Sequence, residues 1–324
     1  MAPDRTVGTL CALPVSVIIP AYNAEATIAA ALDALTRQDF DDDYEVIVID
    51  DGSTDRTVET AERTRSGATI LRQPRAGPAA ARNLGVEHAR GRMLAFTDAD
   101  CIPSPRWLQE GVAALDEADL VQGAVRPDPR TPRTPFDRTV SVTADRGLYE
   151  CASLFVRRDV FERVGGFENW LAARLGKQLG EDVWLGWRAH RAGATVAFCP
   201  EALVHHAVLP RGPTDYVAER ARRVYFPLIA AKVPELREAL FYRRYFLTAD
   251  SAAFDLAVAG ALAAAISRSR LPVLAAAPYA WSLTRRSTRW RKRAPIVALV
   301  ELLADGLGFG ALALGSFRGR TLVL

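Results

Sequence analysis

The sequence predicts an α/β fold with a mostly parallel sheet. Short β-rich apolar runs recur along its front part, beginning with Val15 to Pro20 and Tyr44 to Asp50. Helical patterns separate the runs, as in Glu25 to Gln38, where the apolar residues repeat on one face. Acidic residues follow several of the strands. Because strands that alternate with helices pair in parallel through right-handed crossovers, these observations favour an open sheet that binds ligands at its carboxyl edge.

The same patterns continue along the chain. A proline-rich loop at 126–135 separates the first group of elements from a second group. The further predicted elements are helices at 54–65, 77–90, 105–115 and 182–191, and strands at 68–71, 93–96, 120–125, 154–156 and 195–199.

Length and composition predict more than one domain. The chain has 324 residues, and 49% of them are apolar. A chain of this length is longer than one hydrophobic core usually accommodates. We expect an N-terminal tail at 1–13, an α/β domain at 14–215 and a helical extension at 216–324. Within the extension the pattern predicts helices over 218–233 and 235–246.

Charge is distributed unevenly between these parts. Residues 1–215 hold 24 Lys and Arg against 31 Asp and Glu, a net charge of −7, whereas residues 216–324 hold 17 against 7, a net charge of +10. A basic extension indicates a polyanionic partner, and we favour an anionic membrane surface over nucleic acid. A small soluble helical domain is the alternative.

Three apolar stretches of the extension are candidates for lipid contact, at 252–266, 271–283 and 294–317. None is a clean transmembrane segment, because a span needs roughly 20 apolar residues and the third stretch contains Glu301 and Asp305. The basic residues of 285–293 resemble a cytoplasmic-face patch beside acidic lipid. The sequence leaves open whether the extension crosses the bilayer or lies on it.

The remaining composition indicates an intracellular location. The first dozen residues lack the apolar region of a secretory signal, and the four cysteines show no zinc or redox spacing. We therefore expect the α/β domain at the cytoplasmic face of the cell membrane.

Two acidic clusters carry the functional prediction. Asp98 and Asp100 directly follow the strand at 93–96, where hard oxygen ligands suit Mg²⁺ or Mn²⁺ bound to a diphosphate. Glu181 and Asp182 begin a predicted helix and suggest a catalytic base. The alternatives are that the first pair only shapes a turn and that the helix dipole stabilises the second pair.

Taken together, these motifs resemble the inverting glycosyltransferases of family 2, in particular bacterial members with a membrane-associating tail. The resemblance implies the GT-A fold and covers roughly residues 14–210. It rests on five ordered segments: Val15–Asn23, Ile49–Asp55, Gly77–Gly85, Phe96–Asp100 and Gly180–Asp182.

The resemblance implies a donor site for a nucleotide-diphosphate sugar. Pro20 and Tyr22 would line the base pocket, Asp51 would accept a base N–H, and Arg82 would reach the base or its phosphates. A carboxylate suits an imide N–H, and an Arg fork suits a phosphate. Capping of the following helix, with Ser53 as N-cap, is the alternative for this acidic segment.

The family also implies a metal site with Mg²⁺ or Mn²⁺. Asp100 would be a ligand, and Asp98 would contact the ribose or a metal-bound water. A histidine at the end of a later strand would complete the set, with His206 favoured by the family's register and His205 as the alternative.

For the acceptor, the resemblance implies Asp182 as general base, with Glu181 supporting it or contacting the acceptor. Trp184 is a candidate for stacking on a sugar face, although core packing is the commoner role of tryptophan.

The predicted activity is hexosyl transfer with inversion to a polyprenyl-linked or cell-envelope glycan. The alternatives are a nucleotidyltransferase and a non-enzymatic lipid- or nucleic-acid-binding protein that uses the basic extension.

Overall fold

The computed structural model describes residues 14–171 and 179–324. The expected tail at 1–13 therefore lies outside the described residues. The described chain forms two compact units. The first contains residues up to 129 together with 140–207, and the second contains 130–139 together with 208–324.

The first unit is built on one eight-stranded sheet with the order β3-β2-β1-β4-β7-β6-β8-β5. The strands are β1 (Val15–Ala21), β2 (Tyr44–Asp50), β3 (Thr69–Arg72), β4 (Met93–Phe96), β5 (Cys101–Pro103), β6 (Leu120–Pro127), β7 (Leu154–Arg157) and β8 (Val196–His206).

Strands β1 to β4 pair in parallel, as the alternation of strands and helices predicts. Beyond β4 the sheet is mixed, because β7 pairs antiparallel with both β4 and β6, and β5 pairs antiparallel with β8. The sequence patterns missed β5, and they ended β8 at 199. In the structure β8 continues to His206, which lies opposite Cys101 of β5.

Helices cover the sheet. They are α1 (Ile28–Leu35), α2 (Thr57–Arg63), α3 (Pro78–His88), α4 (Trp107–Ala114), α5 (Arg158–Arg163) and α6 (Glu181–Arg191). The core between them is apolar and fully buried, and Trp107 and Phe155 are among its largest members. Gly111 of α4 permits this packing, because a Cβ there would lie 2.1 Å from the Phe155 ring.

The segment before α2 does not cap the helix in the way that the capping alternative predicted. The helix begins at Thr57 and its N-cap position is Arg56, so Ser53 is not the N-cap. Asp55 instead accepts hydrogen bonds from the backbone N–H groups of Glu25 (3.1 Å) and Thr57 (3.0 Å). This carboxylate therefore fastens the loop after β1 to the start of α2.

The second unit is helical. Its helices are α7 (Pro213–Glu219), α8 (Tyr225–Lys232), α9 (Leu236–Ala239), α10 (Ala249–Ser267), α11 (Ala277–Thr288) and α12 (Ala294–Gly319), with 3₁₀ turns at Arg220–Val224, Leu271–Ala276 and Arg291–Arg293. Two helical segments, Ala249–Ser267 and Arg291–Gly319, are long and apolar enough to cross a membrane.

Two helix predictions in this unit need correction. The helix predicted over 218–233 is divided by the 3₁₀ turn at Arg220–Val224. The helix predicted over 235–246 is wrong beyond Ala239, because Arg243 and Arg244 adopt left-handed backbone conformations with φ of 50° and 70°. Successive non-glycine residues in that region end an α-helix.

Candidate active site

Arg82 connects two acidic elements of the first unit. This side chain of α3 is buried, and it donates hydrogen bonds to Asp98 Oδ1 at 2.8 Å and Glu181 Oε1 at 3.3 Å. Burial alone would lower the pKa of Arg82, but Cys151, Asp98, Glu181 and Asp182 raise it overall. Its Nε is buried and has no hydrogen-bond partner among the described residues. The turn after β4 and the start of α6 therefore share one permanent positive charge.

Asp182 is the second residue of α6, where the left-handed Gly180 turns the chain into the helix. Burial raises the pKa of Asp182 well above the ordinary aspartate range, and the negative charge of Glu181 raises it further. One opposing contribution is the Val183 N–H, which donates to Asp182 Oδ1 at 2.8 Å. A carboxylate with a raised pKa is a stronger base than an ordinary aspartate and is better suited to accept a proton.

Glu150 is a member of this acidic group that sequence patterns did not identify. Burial raises the pKa of Glu150, and its negative charge adds to the raised pKa of Asp182. It belongs to the segment 147–153, in which Gly147 and Tyr149 both have positive φ. No local signal marks Glu150, because its nearness to α6 arises from tertiary packing.

Asp100 and His206 face each other at the end of the sheet. His206 Nε2 lies 3.5 Å from Asp100 Oδ2, and the imidazole is buried. The other ring nitrogen, Nδ1, is 2.7 Å from the Ala207 carbonyl oxygen. Because a carbonyl only accepts, Nδ1 is the donor in this contact, and Nε2 is the ring nitrogen that faces Asp100.

Cys101 is the third group of this cluster, since ligand atoms of Asp100, Cys101 and His206 lie within 4.8 Å of one another. Burial raises the pKa of the Cys101 thiol well above its usual value. His205 pairs with Ile102 on the neighbouring register position. Of the two adjacent histidines, His206 is the one that the structure brings to Asp100.

Asp51 organises the loop between β3 and α3. Its buried carboxylate accepts hydrogen bonds from Gln73 Nε2 (2.7 Å) and from the backbone N–H groups of Ala76 (2.7 Å) and Gly77 (2.8 Å). Two of these bonds go to Oδ1 and one to Oδ2. The three bonds hold the carboxylate in a single orientation.

Tyr22 lies at the end of β1 and is 40% exposed. The guanidinium carbon of Arg75 is 3.3 Å from the centre of its ring, a cation–π contact that the sequence patterns did not identify. Pro20, two residues earlier, is partly buried and pairs with Ile49 of β2. Tyr22 therefore presents an aromatic surface beside a cation at the carboxyl edge of the sheet.

Trp184 lies on the first turns of α6 and is partly buried. Its Nε1 donates to Glu168 Oε2 at 2.7 Å, and the guanidinium groups of Arg188 and Arg191 lie 5.5 and 5.4 Å from its ring. By contrast, Trp187 is buried and donates to the Gly147 carbonyl. Of these two tryptophans, Trp187 is a core residue, whereas Trp184 lies on the same first turns of α6 as the acidic residues Glu181 and Asp182.

Comparison with known proteins identifies the origin of this arrangement. Residues 16–164 match the family described as Glycosyl transferase family 2. Glycosyltransferase AglE of Haloferax volcanii is 35% identical over 213 residues, which cover 61% of this chain and 68% of that protein. The poly(ribitol-phosphate) beta-N-acetylglucosaminyltransferase TarS of Staphylococcus aureus is 36% identical over 107 residues, 32% of this chain and 19% of that protein.

Solved structures agree on the fold. The mannosyltransferase PcManGT from Pyrobaculum calidifontis, in complex with GDP-Man and Mn²⁺, has a TM-score of 0.60 and 26% identity and covers 94% of this chain and 90% of that chain. TarS 1–349 in complex with UDP-GlcNAc has a TM-score of 0.50 at 18% identity, with 95% and 93% covered, and supports the fold alone.

The named relatives and the solved structures are glycosyltransferases. Sugar transfer is therefore favoured over the nucleotidyltransferase and non-enzymatic alternatives. The chain belongs to glycosyltransferase family 2 and is a glycosyltransferase with a GT-A-type α/β fold.

Proposed function

We propose that the protein is a metal-dependent inverting glycosyltransferase that moves a sugar from a nucleotide-diphosphate donor to a hydroxyl group. The observation that carries the proposal is the arrangement around Arg82. This guanidinium connects Asp98, which follows β4, with Glu181, the neighbour of Asp182. A donor-binding element and a candidate base are thereby held by the same buried cation.

The donor set suits Mg²⁺ or Mn²⁺. Asp100 supplies a carboxylate oxygen, and the hydrogen bond from His206 Nδ1 to the Ala207 carbonyl leaves Nε2 free to coordinate. Asp100 and His206 would therefore hold the ion, and Asp98 would contact the ribose or an ion-bound water. When bound, such a cation stabilises the charge of a departing diphosphate as a Lewis acid.

We assign recognition of the nucleotide to residues at the carboxyl ends of strands β1 and β2. Tyr22 offers an aromatic surface for the base, with Pro20 beside it. Oδ2 of Asp51 accepts only one hydrogen bond among the described residues, so it keeps acceptor capacity for a base N–H. The guanidinium of Arg82 would reach the base or the phosphates of the donor, and the binding of GDP-Man by PcManGT supports a nucleotide-sugar donor.

Asp182 is the proposed general base. Its raised pKa makes its carboxylate a stronger base than an ordinary aspartate, so it can take the proton of the acceptor hydroxyl as the oxygen attacks the anomeric carbon opposite the leaving diphosphate. Glu181 adds to the electrostatic cost of ionising Asp182, and the positive charge of Arg82, which pairs with Glu181, offsets part of that cost. A single displacement of this kind inverts the anomeric configuration.

The acceptor is proposed to be a lipid-linked or cell-envelope glycan, with Trp184 stacking on its sugar. The net charge of +10 over residues 216–324 and the apolar helices α10 and α12 support work at the cytoplasmic face of a membrane. No nucleic-acid partner is proposed.

A thermal-shift screen with UDP-, dTDP- and GDP-sugars, each with and without Mn²⁺, tests the donor site. Stabilisation by one nucleotide class that requires the metal is expected, because a ligand that binds only the folded state raises its stability. NMR of the product's anomeric proton then tests inversion. Retention of configuration, or equal shifts with and without metal for every donor, would contradict the proposal.

A further inference from the structure

The second unit has an unusual surface. Of the exposed large apolar side chains in the described parts of the chain, all but Tyr22 belong to this unit. Soluble proteins rarely leave such side chains in contiguous groups, so a group of this kind marks an interface.

Helix α12 carries the longest of these groups. Between Pro295 and Phe317, every exposed residue is apolar or glycine. They recur every three or four residues, which places them along one face of the helix. We call this face the apolar stripe, and its large side chains are Ile296, Leu299, Leu302, Leu303, Leu307, Leu314 and Phe317.

The opposite face of α12 is buried and mostly apolar, and its two acidic residues are paired within the unit. Glu301 and Asp305 are buried, and Arg286 donates to them at 2.8 and 2.7 Å. Tyr216 donates to Glu301 at 2.9 Å, and Tyr279 donates to Asp305 at 3.1 Å. The acidic residues that interrupt the apolar stretch are therefore turned away from the stripe, and they do not oppose its burial in lipid.

A spanning orientation of α12 conflicts with its neighbours. The segment from α7 to α8 runs along the helix, since Cβ atoms at Gly308 and Gly315 would lie 2.5 Å from Arg223 and 2.3 Å from the Val224 carbonyl. If α12 crossed a bilayer, this segment would cross with it and carry Arg222, whose side chain is 42% exposed, into the hydrocarbon. Arginine at that depth is costly.

The end of α12 leads to the same conclusion. After it, the Leu324 N–H donates to the Tyr245 carbonyl at 2.7 Å, which ties the C-terminus to a segment with exposed Glu238, Arg243 and Arg244. A crossing helix would require this charged segment on the far side of the membrane. A helix that lies along one surface requires no such transfer.

The start of α12 supplies charge complementarity. Five exposed basic residues lie in the last turn of α11 and between α11 and the stripe: Arg285, Arg289, Arg291, Lys292 and Arg293. Basic residues next to an apolar face are characteristic of segments that lie in the interface of anionic membranes.

We infer that the apolar stripe of α12 lies in one leaflet of an anionic phospholipid membrane, with the basic residues of 285–293 on the headgroups, and that α12 does not cross the bilayer. The inference rests on the proposed membrane association and adds its orientation and its lipid class.

Vesicle flotation of the full chain tests the binding surface. We expect the protein to float with vesicles of phosphatidylcholine and phosphatidylglycerol, to float less with phosphatidylcholine alone, and to be released by salt. Leu299→Glu with Leu303→Glu should reduce the bound fraction at least about tenfold, since charges are disfavoured in the apolar interface. Both leucines are exposed, so the fold should tolerate the change.

Ala30→Glu with Ala113→Glu is the matched control, because it adds two equal charges at exposed positions of α1 and α4. It should float like the unchanged protein. Metal-dependent donor binding by each variant separates a failure of this inference from a failure of the proposed function. Absence of flotation would overturn the inference, and a dimer dissociated by Leu299→Glu with Leu303→Glu would assign the stripe to a second copy of the chain.

Orientation is tested by labelling in spheroplasts of a bacterial expression host with a membrane-impermeant maleimide. Arg289→Cys and Arg320→Cys place a thiol at exposed positions before and after α12. We expect both to react only after lysis. Reaction of either one in intact spheroplasts would show that a segment crosses the bilayer and would overturn the inference.

Discussion

His206 Nε2 lies 3.5 Å from Asp100 Oδ2, while its Nδ1 is held by the Ala207 carbonyl. The imidazole is thus held with Nε2 toward Asp100, which is the orientation that a cation shared by the two side chains would need. The antiparallel pairing of β5 with β8 places residues 101 and 206 opposite each other, and the Ala207 N–H donates to the Asp100 carbonyl at 2.8 Å.

His206→Ala should weaken Mn²⁺-dependent donor binding by at least about 10- to 100-fold, the loss usual for the outer partners of metal ligands. His205→Ala is the matched control, since the neighbouring histidine pairs with Ile102 and not with residue 101. Calorimetric titration of the donor at fixed Mn²⁺ measures both. Equal losses in the two variants would remove the assignment of His206.

Asp182→Asn should retain donor affinity but reduce turnover by about 10²- to 10⁴-fold, the usual contribution of a general base. Glu181→Gln should cost less in turnover, because this residue interacts with Arg82 and is not the proposed base. Steady-state kinetics with donor binding measured in parallel distinguishes the two roles. Near-normal turnover of Asp182→Asn would transfer the role to Glu181.

The raised pKa of Asp182 predicts the pH dependence of activity. Turnover should increase as pH rises through the folded-state pKa, because only the ionised carboxylate accepts a proton. That acidic limb should lie well above the ordinary aspartate value of about 4. A pH–rate profile measures it, and the limb should disappear in Asp182→Asn.

The raised pKa of Asp182 also predicts that the stability of the fold decreases as pH rises, whereas turnover increases. Between the unfolded and folded pKa values of Asp182, the folded chain binds more protons than the unfolded chain, so its contribution to stability is present at low pH and is lost as pH rises. Urea unfolding across this range should show Asp182→Asn losing less stability with rising pH than the unchanged protein. An identical slope for both would contradict the shift.

Arg82→Met should destabilise the first unit. The loss should fall toward the lower end of the roughly 3–5 kcal/mol usual for breaking a buried ion pair, because the Asp98 side chain is 31% exposed. Arg37→Met is the matched control, since its pair with Asp33 is exposed and should contribute about 1 kcal/mol or less. Urea unfolding followed by tryptophan fluorescence compares them, and equal losses would contradict the argument.

Sequence reasoning succeeded where signals are local. Strands β1, β2 and β4 end in residues whose identities and spacing pointed to the family and the fold, and both are confirmed. The roles of Asp51, Asp98, Asp100 and Asp182 rest on the same local motifs and stay predictions.

It failed where contacts come from distant parts of the chain. Strand β5 has three residues and no pattern of its own, and Glu150 joins the acidic group only through folding. The helix predicted over 235–246 has a helical composition, but tertiary contacts such as Arg237 with the Leu322 carbonyl at 3.0 Å stabilise a turn there instead. Local propensity is overridden where tertiary packing favours another conformation.

The guanidinium of Arg82 is shared between Asp98 and Glu181, so the charge states of the two sides of the site are thermodynamically linked. A donor that alters the charge beside Asp98 changes the positive electrostatic potential that Arg82 exerts at Glu181 and Asp182. If donor binding changes the proton affinity of Asp182 by some factor, loss of that proton changes the donor affinity by the same factor. Proton uptake measured during donor titration therefore measures the coupling between donor binding beside Asp98 and protonation of Asp182.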